Sequence, residues 1–178
     1  MSKPGPFGFS MSMTLQDLSS EVDEISPNRY IVKSVPKPHS AFETYIVSLC
    51  PKVGLYAIRA ISSTIDTNAY GSELIAKYDS MKEKLGLAYG KHELYEFLMH
   101  DSIWNEPRDW MQSLLSKERV MSAEWKKEHG SNVGELLDTV FLQSAAVDTS
   151  SGFIALEYIF KNSRVAEAEL AAREDDVL

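Results

Sequence analysis

The chain has 178 residues, of which 44% are hydrophobic and 25% are charged. These fractions are typical of a globular protein and disfavour disorder, because enough apolar surface is present to offset the entropy lost on folding. The net charge of −8 disfavours nucleic acid and anionic membrane as direct partners, since both are bound through clustered Lys and Arg. The same charge predicts a protein partner with a basic surface.

Cysteine content and the start of the chain indicate a compartment. The single cysteine, Cys50, cannot form an intramolecular disulfide, which disfavours a secreted disulfide scaffold. Residues 1–10 hold no apolar run of the kind found in signal peptides, and no stretch approaches the roughly 18 apolar residues of a membrane-spanning helix. The sequence therefore predicts a cytoplasmic protein without membrane contact.

The first half predicts helix, three strands and helix. Residues 1–9 are rich in Gly and Pro and read as an irregular lead-in. Thr14 can cap a short helix whose apolar residues are Leu15, Leu18 and Val22. Alternating or β-branched segments predict three strands, over 29–35, 42–49 and 55–64. A helix from Ser72 to Leu85 is predicted from one apolar stripe, formed by Leu74, Tyr78, Met81 and Leu85.

The second half predicts a similar order. Residues 94–99 form a short apolar element whose type the local pattern leaves open, a helical turn being one reading. A helix starts with Asn105 as its cap and Pro107 in the first turn. Three strands follow, over 119–125, 137–147 and 153–160, and then a helix over 163–173. The pattern is an α+β fold with an α-βββ-α arrangement over 10–90, duplicated over 91–178. Helices would cover one face of the antiparallel strands, which form either one continuous sheet or two.

Few residues suggest chemistry. The chain has no phosphate loop, no nucleophile elbow and no zinc-protease motif, so no catalytic residue and no cofactor are predicted. If 91–101 were one helix, His92, Glu96 and His100 would share a face and could hold a divalent metal. Cys50 has no neighbouring base in the sequence and is predicted to be a buried structural residue.

Aromatic and acidic residues are the candidates for partner binding. Trp110 and Trp125 are predicted to be core, whereas Trp104 lies in the loop before a helix and is the better interface candidate. The chain ends in an acidic stretch in which Asp175 and Asp176 are predicted to face solvent and to meet a basic partner. Glu157 falls on the solvent side of its strand.

One short motif resembles a known family. The run from Pro6 to Leu15 (PFGFSMSMTL) resembles the opening of small bacterial α+β modules, in which a helix leads into a β-meander. Such modules occur in outer-membrane assembly lipoproteins and, in tandem, in β-lactamase inhibitory proteins. The stretches 68–74 and 102–110 are similar to segments of bacterial proteins without an assigned function. The resemblance implies a binding or inhibitory protein and carries no site residue across.

These observations favour a non-enzymatic interaction protein: an inhibitor, immunity protein or regulatory protein that covers another protein's surface. The first alternative is an enzyme with an unrecognised site, dependent on a metal at His92, Glu96 and His100. The second is a small-ligand sensor or a structural subunit of an assembly.

Overall fold

The computed structural model describes residues 4–18 and 21–178 and shows an α+β protein. The strands are β1 (Val22–Ser26), β2 (Arg29–Val32), β3 (Thr44–Cys50), β4 (Gly54–Ile61), β5 (Ile65–Asp66), β6 (Glu93–Leu98), β7 (Arg119–Lys126), β8 (Leu137–Ala146) and β9 (Ser151–Phe160). The helices are α1 (Ser72–Tyr89), α2 (Trp110–Leu115) and α3 (Ser163–Asp175). Short 3-10 turns occupy Pro6–Gly8, Pro107–Asp109 and Lys127–His129.

All nine strands belong to one antiparallel sheet. Their order is β1-β2-β3-β4-β9-β8-β7-β6, and β5 also pairs with β9. The order runs along the chain up to β4 and then jumps to β9, so the last long strand completes the middle of the sheet. This confirms the predicted class and decides between one sheet and two.

The helix predicted from Thr14 is wrong where the chain is described. Thr14 donates its backbone amide to Asp17 Oδ2 over 2.8 Å, and its hydroxyl donates to the same oxygen over 2.9 Å. These hydrogen bonds close a turn and lower the pKa of the Asp17 carboxyl. Residues 19 and 20 lie outside the described residues, and Val22 begins β1 rather than extending a helix. Thr14 and Asp17 exchange the reciprocal bonds of a capping box, as at a helix start, but residues 15–17 form only a turn.

The apolar element at 94–99, whose type the sequence left open, belongs to a strand and not to a helical turn. Gly90 has φ 78°, a left-handed conformation that ends α1, and β6 then pairs with β7 from Glu93 opposite Glu124 to Leu98 opposite Arg119. The 3-10 turn Pro107–Asp109, which precedes α2, is capped by Glu106 and not by Asn105, because Pro107 occupies its first position. The strand conformation of this segment depends on its long-range pairing with β7 and not on its local sequence pattern.

The duplicated α-βββ-α order is not confirmed. The first half lacks its opening helix within the described residues, and the second half begins with the additional strand β6. Two compact units can be distinguished. Unit 1 takes the described residues of Met1–Ala60, Gly134–Thr139 and Glu157–Leu178, and unit 2 takes Ile61–Val133 and Val140–Leu156. Each unit thus draws on both 10–90 and 91–178.

Unit 2 has the core that the sequence predicted best. The stripe of α1 is buried as expected, with Leu74 and Tyr78 fully buried. The remaining fully or nearly fully buried side chains of unit 2 come mainly from the strands: Met111, Ala123, Trp125, Val140, Leu142, Ile154 and Leu156. Burial of one large apolar side chain contributes about 1.5–3 kcal/mol, so this cluster is the main source of stability in unit 2.

Unit 1 has a core rich in aromatic residues. Its most deeply buried side chains are Phe9, Val47, Cys50, Leu55, Ile58 and Phe160. Phe7 packs edge-on against Tyr45 with ring centroids 4.9 Å apart and against Tyr158 at 5.6 Å. The Gly- and Pro-rich lead-in therefore contributes to packing in unit 1.

Candidate functional site

The last strand in the sheet order, β6, is the most exposed strand of unit 2. Five of its six residues are exposed, and they include large apolar side chains on both faces. Leu94 is 47% exposed, Tyr95 37% and Phe97 49%. Apolar side chains in this number on an edge strand are unusual, because uncovered edges tend to aggregate.

One face of β6 contacts helix α1. Glu96 stands opposite Met121 in β7, and Lys82 of α1 donates from Nζ to Glu96 Oε1 over 2.7 Å. Residues directly opposite in an antiparallel pair share a face, so this face also carries Leu94 and Leu98. Behind it, Ala123 and Trp125 of β7 are fully buried.

The other face of β6 carries two exposed aromatic side chains, Tyr95 and Phe97. Tyr95 stands opposite Ser122, and Phe97 stands opposite Val120, which is half-buried. Val120 and Ser122 line a cavity of about 290 Å³ together with Phe141 of β8. This surface, formed by Tyr95, Phe97, Val120 and Phe141, is called the open face below. It combines three aromatic rings with a valine side chain, and Lys117 and Arg119 line the same cavity. Aromatic residues are enriched at protein interfaces.

The turn after β6 continues the apolar surface. Met99 is 50% exposed and Ile103 is 74% exposed, and the Ser102 amide donates to the Met99 carbonyl over 3.1 Å. Trp104 is half-buried, and its backbone amide donates to Ser102 Oγ over 3.2 Å. The predicted interface residue Trp104 therefore follows β6 within one turn, and its role in binding stays a prediction.

The metal set proposed from the sequence is not assembled. His92 stacks on Trp125 with centroids 4.9 Å apart, Glu96 is paired with Lys82, and His100 Nδ1 lies 2.9 Å from Asp101 Oδ1 in full solvent. The helix that would align the three residues is replaced by β6. Within the part of the chain that is described, no group of three or more His, Cys, Asp or Glu side chains could hold a metal ion.

The contact between α1 and β6 shapes the electrostatics beneath the edge. Lys82 Nζ also lies 3.2 Å from Asp79 Oδ1 and 5.0 Å from the ring centre of Tyr78. Burial, together with the nearby Glu96 carboxylate, raises the pKa of the Tyr78 hydroxyl far above its usual range. Tyr78 is therefore neutral at physiological pH. Lys82 is shared by two carboxylates, Glu96 and Asp79, so these three groups keep one net negative charge.

The other tryptophans and the terminal acids have separate places. Trp125 is fully buried, as predicted, and its Nε1 donates to the Gly90 carbonyl over 3.2 Å. The prediction that Trp110 is core is wrong, since its side chain is only half-buried. Its ring lies against Gly71, and the ring centre is 5.4 Å from the Arg119 guanidinium. Asp175 ends α3 in unit 1 and is exposed, as is Asp176.

Unit 1 contains a polar cavity that sequence reasoning did not identify. It has a volume of about 330 Å³ and is lined by charged side chains on three strands and α3: Arg29, Arg59, Glu157 and Glu167. Arg59 Nη1 lies 3.8 Å from Glu157 Oε2, both being about one-third exposed. Two guanidinium groups beside two carboxylates could hold a small zwitterion. Cys50, elsewhere in unit 1, is 1% exposed, as predicted for a structural thiol.

No helix among the described residues combines the length and apolar character needed to cross a membrane. Comparison of the chain with protein-family models, with curated proteins and with solved structures finds no match.

Proposed function

We propose that the protein is a non-enzymatic interaction protein that binds another protein through β6 and the open face. The observation that carries the proposal is the exposure of Leu94, Tyr95 and Phe97 on a strand at the end of the sheet. Aromatic anchors flanked by polar residues dominate the free energy of many protein interfaces. An inhibitor, an immunity protein or a regulatory subunit would each use such a surface.

Charge supports a partner with a basic surface. The chain carries −8, and the end of α3 presents Glu174, Asp175 and Asp176 in solvent, where the negative end of the helix dipole adds to their field. Such a field speeds association with a cationic surface and is screened beyond about 10 Å at 0.1 M salt. The proposal places this encounter in the cytoplasm, where a free thiol such as Cys50 stays reduced.

Capture of the partner from the native host, using matched variants, tests the proposal. Phe97→Asp introduces a charge on the open face, whereas Leu87→Asp makes the same change on α1 at a side chain that is 85% exposed. We expect Phe97→Asp to weaken capture at least tenfold and Leu87→Asp to leave it unchanged. Equal loss with both variants, or no loss with either, would argue against β6 as the contact surface.

Salt dependence tests the electrostatic part separately. The association rate with the captured partner should fall several-fold between about 20 mM and 500 mM salt, because steering depends on unscreened charge. A rate independent of salt would remove the basic partner from the proposal while leaving the apolar contact in place.

A small-ligand sensor is the second candidate, favoured by the polar cavity around Arg59 and Glu157. This candidate predicts that a free amino acid or another small zwitterion raises the melting temperature of the wild-type protein, and that Arg59→Ala abolishes the increase. The interaction proposal predicts no such increase.

A further inference from the structure

The outer edge of β6 carries backbone groups that another strand can satisfy. Met99 donates its amide to the Glu118 carbonyl over 2.8 Å, one step beyond the pair of Leu98 with Arg119. Hydrogen-bonded pairs alternate along an antiparallel ladder, so every second residue of β6 turns its N–H and C=O away from β7. These residues are Leu94, Glu96 and Leu98. Within residues 4–18 and 21–178, no strand pairs with this side of β6.

The first strand in the sheet order shows how this sheet blocks pairing elsewhere. The register of β1 with β2 shifts between Glu24 and Ser26, which marks a bulge. Lys33 Nζ lies 3.3 Å from both Glu21 and Asp23, so charge flanks that strand. Bulges and charges are devices that prevent strand addition at an edge.

Strand β6 has neither bulge nor proline. Its register with β7 is continuous over all six residues, and apolar side chains stand on both of its faces. A strand with a regular register and exposed apolar side chains is suited to accept an added strand at its free edge. The register shift in β1 hinders strand addition, and the continuous register of β6 leaves its free edge able to pair with another strand.

Charge distinguishes between two occupants of this edge. A second copy could join antiparallel in two registers that pair most of the strand, centred on Tyr95 or on Glu96. The second register places the two Glu96 carboxylates opposite each other, and neither places a cation opposite Glu93. A foreign strand with Lys or Arg opposite Glu93 or Glu96 would gain about 0.2–1 kcal/mol per pair. The net charge of −8 also opposes self-association.

We propose that β6 accepts an extended segment of another protein as an added strand, and that this segment alternates apolar residues with Lys or Arg. This inference rests on the proposed function and specifies the partner's chemistry. Because the two kinds of residue alternate, they lie on opposite faces of the added strand. Apolar residues over Tyr95 and Phe97 place the cations on the face of Glu96, and apolar residues over Leu94 place them on the face of Glu93.

Two synthetic peptides test the proposal with the full-length protein. The probe is an eight-residue peptide of alternating valine and lysine, and the control replaces lysine by glutamate. We expect the lysine peptide to slow amide hydrogen exchange at Leu94, Glu96 and Leu98 at least tenfold, and the glutamate peptide to have no such effect. Methylation of alternate backbone nitrogens on the lysine peptide should abolish the protection, which requires backbone pairing.

A matched pair of variants places the contact on the protein. Leu94→Pro and Leu94→Ala both remove the side chain, but only proline removes the outward N–H, and edge strands tolerate proline where that group faces solvent. We expect Leu94→Pro to bind the lysine peptide at least fivefold more weakly than Leu94→Ala does. If proline disrupts the fold, the methylated peptide tests the same backbone contact on the wild-type protein.

Three outcomes would overturn the inference. Protection by the lysine peptide could fall outside β6, or the methylated peptide could bind as well as the unmethylated one. In the third, the free protein has the mass of a dimer and already protects Leu94, Glu96 and Leu98, so a second copy is the occupant.

Capture of one native partner equally by wild type, Leu94→Pro and Leu94→Ala would refute strand addition and leave the proposed function standing. If Phe97→Asp and Leu87→Asp capture the partner equally, while the lysine peptide still protects β6, the proposed function is refuted and strand addition stands.

Discussion

Single residues show where sequence reasoning reaches its limit. The three tryptophans look alike in the sequence, yet Trp125 is fully buried, whereas Trp104 and Trp110 are half-buried. Alternation along β7 places Trp125 correctly, because a strand directs every second residue to the same face. Nothing local indicates that the Trp110 ring lies across Gly71, since that contact joins a helix to a distant turn.

The contact between Gly71 and Trp110 leads to a prediction. Gly71 has φ 70°, and a Cβ added there would lie 2.2 Å from Trp110 Cε3. Gly134 has φ 79° and no atom within 4 Å of an added Cβ, so Gly134→Ala incurs only the backbone strain of about 1–2 kcal/mol. We expect Gly71→Ala to lower the free energy of unfolding by about 1–3 kcal/mol more than Gly134→Ala does, because the added methyl group overpacks against Trp110. Urea denaturation of both variants measures the difference, and equal losses would contradict the steric contact.

Elements with strong local periodicity could be predicted, and those that depend on distant pairing could not. The stripe of Leu74, Tyr78, Met81 and Leu85 identified α1 and its buried face without any structure. The segment ELYEFL of β6 offered only a short apolar run, which fits a helical turn as well as a strand. Its apolar residues come in adjacent pairs and do not alternate with polar ones, and its partner, β7, lies more than twenty residues away. The candidate site was therefore missed as a strand, although Trp104, which follows it, was predicted to be an interface residue.

The docking of α1 onto β6 can be measured as a coupling between two side chains. Lys82 and Glu96 are 20% and 28% exposed and 2.7 Å apart, whereas Lys33 and Asp23 are 45% and 58% exposed and 3.3 Å apart. A double-mutant cycle with Lys82→Met and Glu96→Gln should give a coupling of about 1 kcal/mol, because partial burial reduces screening. The control cycle, Lys33→Met with Asp23→Asn, should give less than about half of that. Equal couplings would mean that the contact between α1 and β6 is no stronger than a surface ion pair.

At the scale of the whole molecule, the sheet order argues against two independent halves. Strand β4 belongs to 10–90, yet its neighbour β9 belongs to 91–178, and β5 pairs with β9 as well. Each compact unit takes strands from both halves. A fragment of residues 1–90 would leave β4 without a neighbour on one side and expose apolar residues such as Ile58, which is fully buried in the whole chain.

The fragments 1–90 and 91–178, expressed separately, are therefore expected to lack cooperative unfolding. Each loses the strand pairing across β4 and β9, and burying less apolar surface leaves too little free energy to offset chain entropy. Mixing the two fragments should restore a cooperative transition, followed by circular dichroism on heating, because the missing strand pairs can then form between chains. The intact chain is the control for the shape of the transition. If the fragment 1–90 unfolds cooperatively by itself, the pairing of β4 with β9 is dispensable and the predicted halves are independent folding units after all.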